Sequence, residues 1–428
     1  MRVRLIAVSA CAALALGIAA CGDDNNSSSS TSGGGTSTGT SSGGGGGTVD
    51  VYSSLPLQGA SKDQTGAMVQ GIRLALEEAG GKAGNFTVNY QSLDDSTAQA
   101  GNWDPGQVAQ DARKVAQDDK AVYYIGEFNS GASAISIPIL NQAGIPQVSP
   151  ANTYVGLTTN EPGSAKGEPD KYYPTGKRTY LRIVPRDTIQ AAALLTRMKN
   201  DGCTKVALAN DKDTYGQGLA KLIELQAGDA GVSLTKDVGI DKTASNFRSV
   251  AADFKAQGAD CFLFGGVTAN GAVQLYKDVG AALPNAKLYG PDGVCESGFT
   301  NPAKKGIPAA LGKRFVCSVA TLDLQSYPGG KEFINAFKAK YGNANPDPYA
   351  IYGYEAMKLG LDTIKGLGDK GSDRAAVLDA LFATKDRDSA LGTYSFDENG
   401  DTTLTDYGIY KVGDDGNPTF ESAVKSAG

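Results

Sequence analysis

Four short segments gather the residues best suited to hold a small charged molecule. Ile125-Gly126-Glu127-Phe128-Asn129-Ser130-Gly131 and Ser149-Pro150-Ala151-Asn152-Thr153 offer hydroxyls and backbone N–H groups, which suit a carboxylate. Asn210-Asp211-Lys212-Asp213-Thr214-Tyr215-Gly216-Gln217-Gly218 and Tyr289-Gly290-Pro291-Asp292-Gly293 offer an aromatic face and a carboxylate, which suit an ammonium. Glycine, serine and aspartate also serve as plain helix caps at strand-to-helix turns, so each segment alone says little. The chain has no histidine, which removes the commonest general base and metal ligand and excludes Ser-His and Cys-His nucleophile systems. Glu77-Glu78, Asp94-Asp95 and Asp211 with Asp213 could be read as the paired acids of an extracellular enzyme. Neighbours in sequence point to different sides of an element, so these pairs make poor catalytic dyads. No catalytic residue, metal site or cofactor is assigned, and no G-x-x-x-x-G-K-[ST] phosphate loop is present.

The four segments need elements to aim them, and the hydrophobic pattern supplies alternating strands and helices. Strands are expected at Thr48–Tyr52, Phe86–Tyr90, Val122–Ile125 and Gln147–Val148, with helices at Gly66–Ala79, Gly106–Asp118 and Ala132–Ala143. The alternation restarts after Tyr180–Val184, with a single strand expected over Val232–Val238 and others at Lys205–Asn210 and Cys261–Phe264. Such alternation predicts two α/β lobes with parallel central sheets. Every one of the four segments then follows the carboxyl end of a strand, where ligands of open α/β sheets bind. The stretch Gly156–Lys177, rich in Pro, Gly and charge, reads as a surface insertion beside the crossover between lobes. Further helices expected at Lys331–Tyr341 and Ala350–Leu367 carry the chain back, and repeated crossing makes a hinge with a cleft.

The N-terminus speaks to location. Arg2 and Arg4 precede an apolar run from Leu5 to Ile18, then Ile18-Ala19-Ala20-Cys21, the layout of a secretory signal over residues 1–20. The run is shorter than the roughly 20 residues of a spanning helix and has no basic stop behind it. Residues 22–47 are almost wholly Ser, Thr, Gly, Asn and Asp, with nothing apolar to offset the entropy of ordering. A flexible tether of that length spans about 30 Å on average. The net charge of −6, without a basic cluster, argues against nucleic acid and against electrostatic membrane binding. Of six cysteines, Cys11 leaves with the signal. In an exported protein Cys203, Cys261, Cys295 and Cys317 favour two disulfides with three possible connectivities. Cys203 and Cys261 open strands expected to be neighbours, while Cys295 follows one strand and Cys317 ends another, which points to 203 with 261 and 295 with 317.

Ile18-Ala19-Ala20-Cys21 resembles the lipobox of bacterial lipoproteins, which implies that Cys21 is acylated and that residues 21–47 form a lipidated tether. The rest of the chain resembles the branched-chain amino-acid binding proteins of ABC importers, the Leu/Ile/Val-binding kind with a type I periplasmic binding fold. The blocks that carry this are Leu55-Pro56-Leu57-Gln58-Gly59, Phe396-Asp397-Glu398-Asn399-Gly400-Asp401 and the four segments above, in family order. The resemblance implies lobe one at residues 48–186 plus 323–392 and lobe two at 187–322 plus 393–428. It implies a ligand carboxylate at Ser130, Ala151 (through its backbone) and Thr153, an ammonium at Asp292, and Tyr215 closing from lobe two. It further implies a monomer that delivers an amino acid to a membrane permease, or, as the alternative, a sensing lobe for amides, urea or small acids. Family members commonly carry glutamate where this chain has Asp292, and often a tyrosine where Val267 follows Gly265-Gly266.

Overall fold

The structure, a computed structural model, describes residues 46–425; the signal segment, Cys21 and nearly all of the expected tether lie outside the described residues. Strand β1 (Thr48–Leu55) is followed by helix α1 (Lys62–Glu78), β2 (Lys82–Ala83), β3 (Phe86–Asp94), the small hairpin β4 (Ser96–Thr97) and β5 (Asn102–Trp103), and α2 (Pro105–Ala116). Then come β6 (Ala121–Ile125), α3 (Ser130–Gln142), β7 (Gln147–Ser149) and β8 (Tyr180–Arg182). These strands form a sheet of order β2-β3-β1-β6-β7-β8, parallel except for β2. Pro105 opens α2 behind Asp104, whose carboxylate accepts from Gly106 N at 2.9 Å and Gln107 N at 3.0 Å, a start signal written in the sequence.

The second half runs α4 (Asp187–Asn200), β9 (Lys205–Asn210), α5 (Thr214–Ala230), β10 (Ser233–Leu234), β11 (Val238–Gly239), α6 (Arg248–Ala256), β12 (Cys261–Gly265), α7 (Val273–Ala282) and β13 (Lys287–Gly290). Short α8 (Ser297–Thr300) and α9 (Ala309–Gly312) lead to β14 (Phe315–Val319). After α10 (Gly330–Tyr341), α11 (Ala350–Gly366) and α12 (Arg374–Phe382), the chain ends in β15 (Asp406–Val412) and β16 (Pro418–Lys425). The second sheet has the order β10-β9-β12-β13-β14-β15-β16, with β11 also on β9 and with β15 and β16 antiparallel. In each sheet the early strand, β1 or β9, has later strands on both sides. That reversal of direction opens a crevice beyond the carboxyl ends of β1 and β6, and of β9 and β12.

Helix α11 returns to the first sheet by packing on α1. A Cβ on Gly71 would lie 2.0 Å from Ala350 O, and one on Gly353 would lie 2.3 Å from Met68 O. The two glycines let the backbones touch, and Met68, Ile72, Ile351 and Met357 close the seam with no exposed surface. Each such side chain contributes about 1.5–3 kcal/mol of burial.

Several expectations are corrected. Val232–Val238 is not one strand: Thr235 interrupts it, its N–H bonding Val206 O at 2.9 Å while its hydroxyl accepts from Leu208 N at 3.2 Å, so β10 and β11 separately pair with β9. Cys317 sits in the middle of β14 instead of at its end, and β16 was not foreseen. The stretch 156–177 combines exposed residues, such as Asn160, Lys166 and Lys171, with buried anchors. The Glu168 carboxylate, its side chain 2% exposed, accepts from Tyr154 at 2.5 Å, Tyr172 at 2.6 Å and Ala165 N at 2.6 Å, and Tyr173 donates to Leu157 O at 2.6 Å. A buried anion with several donors holds a polar segment against the body. Sulfur bonds join Cys203 to Cys261 and Cys295 to Cys317, with Cα separations of 5.8 and 5.6 Å.

Candidate functional site

Two loops at the carboxyl ends of β6 and β7 are latched to each other. Ser149 donates its hydroxyl to Glu127 O at 2.8 Å and accepts from Ala151 N at 3.1 Å and Asn152 N at 2.9 Å. Asn152 donates to Phe128 O at 2.7 Å, and its side-chain oxygen accepts from Ser133 and Tyr180. Ser130, at the first turn of α3, Ala151 and Thr153 are all buried on this rigid floor. The floor is braced from behind by Arg182, which bonds Asp401 at 2.6 Å, Tyr154 O at 2.8 Å and Asn152 O at 3.2 Å. Arg186 also reaches Asp401, at 3.3 Å. With Glu161 also 3.4 Å from Arg186, two carboxylates balance the two guanidinium groups near the floor.

The opposite wall carries Asp292, at the end of β13. Its carboxylate accepts from Tyr215, from Gln190 at 2.6 Å and from Tyr349 at 3.4 Å. Tyr349 lies at the start of α11 and meets Phe128 edge-on with ring centroids 5.8 Å apart. It therefore spans from the floor to Asp292. Burial pushes the Asp292 carboxyl up, with the Tyr215 and Gln190 bonds opposing.

Between the floor and this wall lies Asp187, the first residue of α4, with no exposed surface and both carboxylate oxygens without a hydrogen-bond partner. Its N–H bonds Thr153 O at 2.8 Å. Burial, followed by the field of Asp292, drives its carboxyl well above the usual range; Thr153 and Arg182 lower it only in part. The Thr153 hydroxyl stands close to this carboxylate without completing a hydrogen bond. A buried carboxylate without donors is costly in isolation, and the group that relieves it is a cation.

The structure thus brings Tyr215 and Asp292 into direct contact and sets Thr153 beside Asp187. It joins Ser130 to that group only through the chain from Phe128 to Tyr349. Ala151 takes a different role from the expected one: its N–H is spent on Ser149, so its remaining backbone group is the carbonyl, an acceptor suited to an ammonium. Asp187 and Gln190 were missed. An acid at the first turn of a helix reads as a dipole partner, and the signal that could have exposed Asp187 is its place directly after a strand and crossover. The suspected pair Asp211 and Asp213 is engaged elsewhere, with Asn270 donating to both at 2.8 and 2.7 Å. Among the described residues, the one cluster with metal-ligand spacing is Cys203, Asp260 and Cys261, and its two sulfurs are bonded to each other.

A cavity of about 800 Å³ lies beside this group and not on it, lined by Gln64, Cys295 and Asp347 among others. The acids mark the site better than open volume does, because Thr153, Asp187, Tyr215 and Asp292 are each at most 9% exposed. Walls in contact, as through Tyr349 and Asp292, leave little free space between them.

Residues 53–417 match the sequence profile of a family described as periplasmic binding protein. A Leu/Ile/Val-binding protein of Rhizobium johnstonii is 26% identical over 359 residues, 83% of this chain and 89% of its own length. A leucine binding protein from Thermotoga maritima has a similar structure, with a TM-score of 0.73 at 21% identity over 88% of this chain and 99% of that one. So has a solute binding protein of an ABC transporter from R. palustris, in complex with benzoate, at 0.69 and 20% identity over 89% and 98% of the two chains. The shared architecture is the type I periplasmic binding fold.

Asp187→Asn removes the ionisable carboxyl and keeps the shape. The ligand-free variant should be more stable than the wild type at pH 7 by about 1–3 kcal/mol, measured by denaturant unfolding. The raised carboxyl stabilises the fold while protonated and ceases to as pH climbs through its shifted value, so the gain should shrink toward pH 4. An equal or lower stability at pH 7 would refute the burial argument.

Proposed function

The chain belongs to the periplasmic binding protein family, whose members bind solutes and do not transform them, and on that premise we propose that it captures a free amino acid for import. One observation carries the reading: Asp187 is buried with neither oxygen satisfied. An α-ammonium placed there meets Asp187, the Asp292 carboxylate and the Ala151 carbonyl. The α-carboxylate then lies toward Ser130 and Thr153, where the start of α3 favours negative charge. Charge-assisted bonds of roughly 1.5–3 kcal/mol each supply the −8 or so of micromolar affinity. Relatives support this choice, since the Rhizobium protein is named for leucine, isoleucine and valine. Benzoate, held by the R. palustris relative, is an anion without an ammonium and would leave Asp187 unmet.

Capture works by closure. Lobe one, residues 48–186 plus 323–392, supplies the floor and Tyr349; lobe two, residues 187–322 plus 393–428, supplies Asp187, Gln190, Tyr215 and Asp292. A ligand touching both shifts the population toward the closed form. The protein acts outside the cytoplasm, where a membrane permease of the ABC type receives the ligand from the closed form. Acylation at Cys21 and the following tether keep the binder near that partner; one acyl chain alone would hold only marginally, so the anchor carries more than one.

A melting screen of the common L-amino acids, acetamide, urea and benzoate tests the ligand class. At least one amino acid should raise the midpoint, and at 100 times its Kd the added stability is about 2.7 kcal/mol. A shift by benzoate alone would replace the amino-acid reading with an aromatic-acid one. For the anchor, Cys21→Ser should move the protein from the detergent phase to the aqueous phase in a two-phase partition; a variant that stays in detergent sinks the acylation.

A further inference from the structure

Glu296 repeats the signature of Asp187 at another point between the two sheets. It is 2% exposed, and neither of its carboxylate oxygens has a hydrogen-bond partner. Burial pushes it up to about 7, and the groups around it come from both halves: Thr268 from the second, Ser61, Asp63 and Asp347 from the first. The Ser61 and Thr268 hydroxyls are near enough to oppose the shift, yet neither completes a hydrogen bond. The nearby lysine, Lys304, is taken by Asp63.

Asp347 ties this place to the amino-acid site. Its carboxylate accepts from Tyr349 N at 3.0 Å, and the Tyr349 hydroxyl reaches Asp292 at 3.4 Å. Burial holds Asp347 up at about 6. The 800 Å³ cavity opens here, lined by Asp347, Gln64 and the two neighbours of Glu296 in sequence, Cys295 and Ser297. Gln64 is 4% exposed and reaches across to Cys295 O at 3.5 Å. An unsatisfied buried acid, a second acid near enough to raise it and a cavity that reaches Asp347 and both sequence neighbours of Glu296 call for a cation that arrives with the ligand.

We propose that Glu296, with Asp347, forms a second cation subsite of the same cleft, which takes the distal ammonium or guanidinium of a basic amino acid. The inference rests on the amino-acid reading above and narrows it. Asp292 and Glu296 are four residues apart on the segment that leaves β13, so their carboxyl groups belong to one stretch of wall and one extended ligand can address both. A leucine side chain would leave Glu296 unmet. A lysine or ornithine side chain would neutralise it.

Calorimetric titration of L-lysine, L-ornithine and L-norleucine against the wild type, Glu296→Gln and Asp347→Asn tests this. Lysine or ornithine should bind at least about tenfold tighter than norleucine, a difference of about 1.4 kcal/mol. Glu296→Gln should collapse that preference to near one, and Asp347→Asn should weaken it. Norleucine binding as tightly as both basic ligands, or a preference that survives Glu296→Gln, overturns the subsite while the amino-acid reading stands. If none of the three binds and no other amino acid does, that reading falls and takes the subsite with it.

Discussion

Carboxyl groups enclosed between two sheets without a free cation beside them are the constraint on which the rest of this protein turns. Asp187, Asp292, Glu296 and Asp347 all lie where the halves meet, and burial raises every one of them. A fold that needed these acids only for stability would pair them, since a paired buried carboxylate is far cheaper than a lone one. The cations within reach are committed elsewhere. Arg182 and Arg186 serve Asp401, and Lys304 serves Asp63. The arrangement holds a deficit that the proposed ammonium would relieve, which is what differential affinity for a closed state requires.

Rigidity on the other side of the cleft makes that deficit selective. Ser149, Asn152 and Arg182 fix two loops before any ligand arrives, so the loss of backbone freedom is met in folding and not in binding. Tyr349 links the halves through a 3.4 Å bond to Asp292 and an edge-on contact with Phe128. Movement of either half is thereby felt at Asp292. The Arg182–Asp401 pair does a separate task, clamping β8 to the crossover segment that carries Asp401.

Much of the architecture was legible because period and punctuation agree. Apolar runs of four or five residues place β6 and β9 and the loops that follow them, and a glycine directly after the run marks the turn at Ile125-Gly126. Cys203 and Cys261 stand at the starts of adjacent strands, a closeness that strand alternation makes readable. Tertiary effects were harder to foresee. Asp187 resembles any acid at a helix start until the absence of donors around it is known. Ala151 has a free N–H in sequence and a spent one in three dimensions, because Ser149 turns back on it. The segment 156–177 has the composition of a surface loop, yet two tyrosines converge on Glu168 and draw it inward.

Proton release on binding tests the central claim most directly. If Asp187 and its neighbours hold protons above the usual carboxylate range until an ammonium arrives, binding must expel them. Calorimetry at pH 6 in two buffers of different ionisation enthalpy, using the amino acid that most raises the melting midpoint, measures the number released. The account predicts a net release that falls sharply in Asp187→Asn. Binding without proton release, or a release unchanged in that variant, would contradict it.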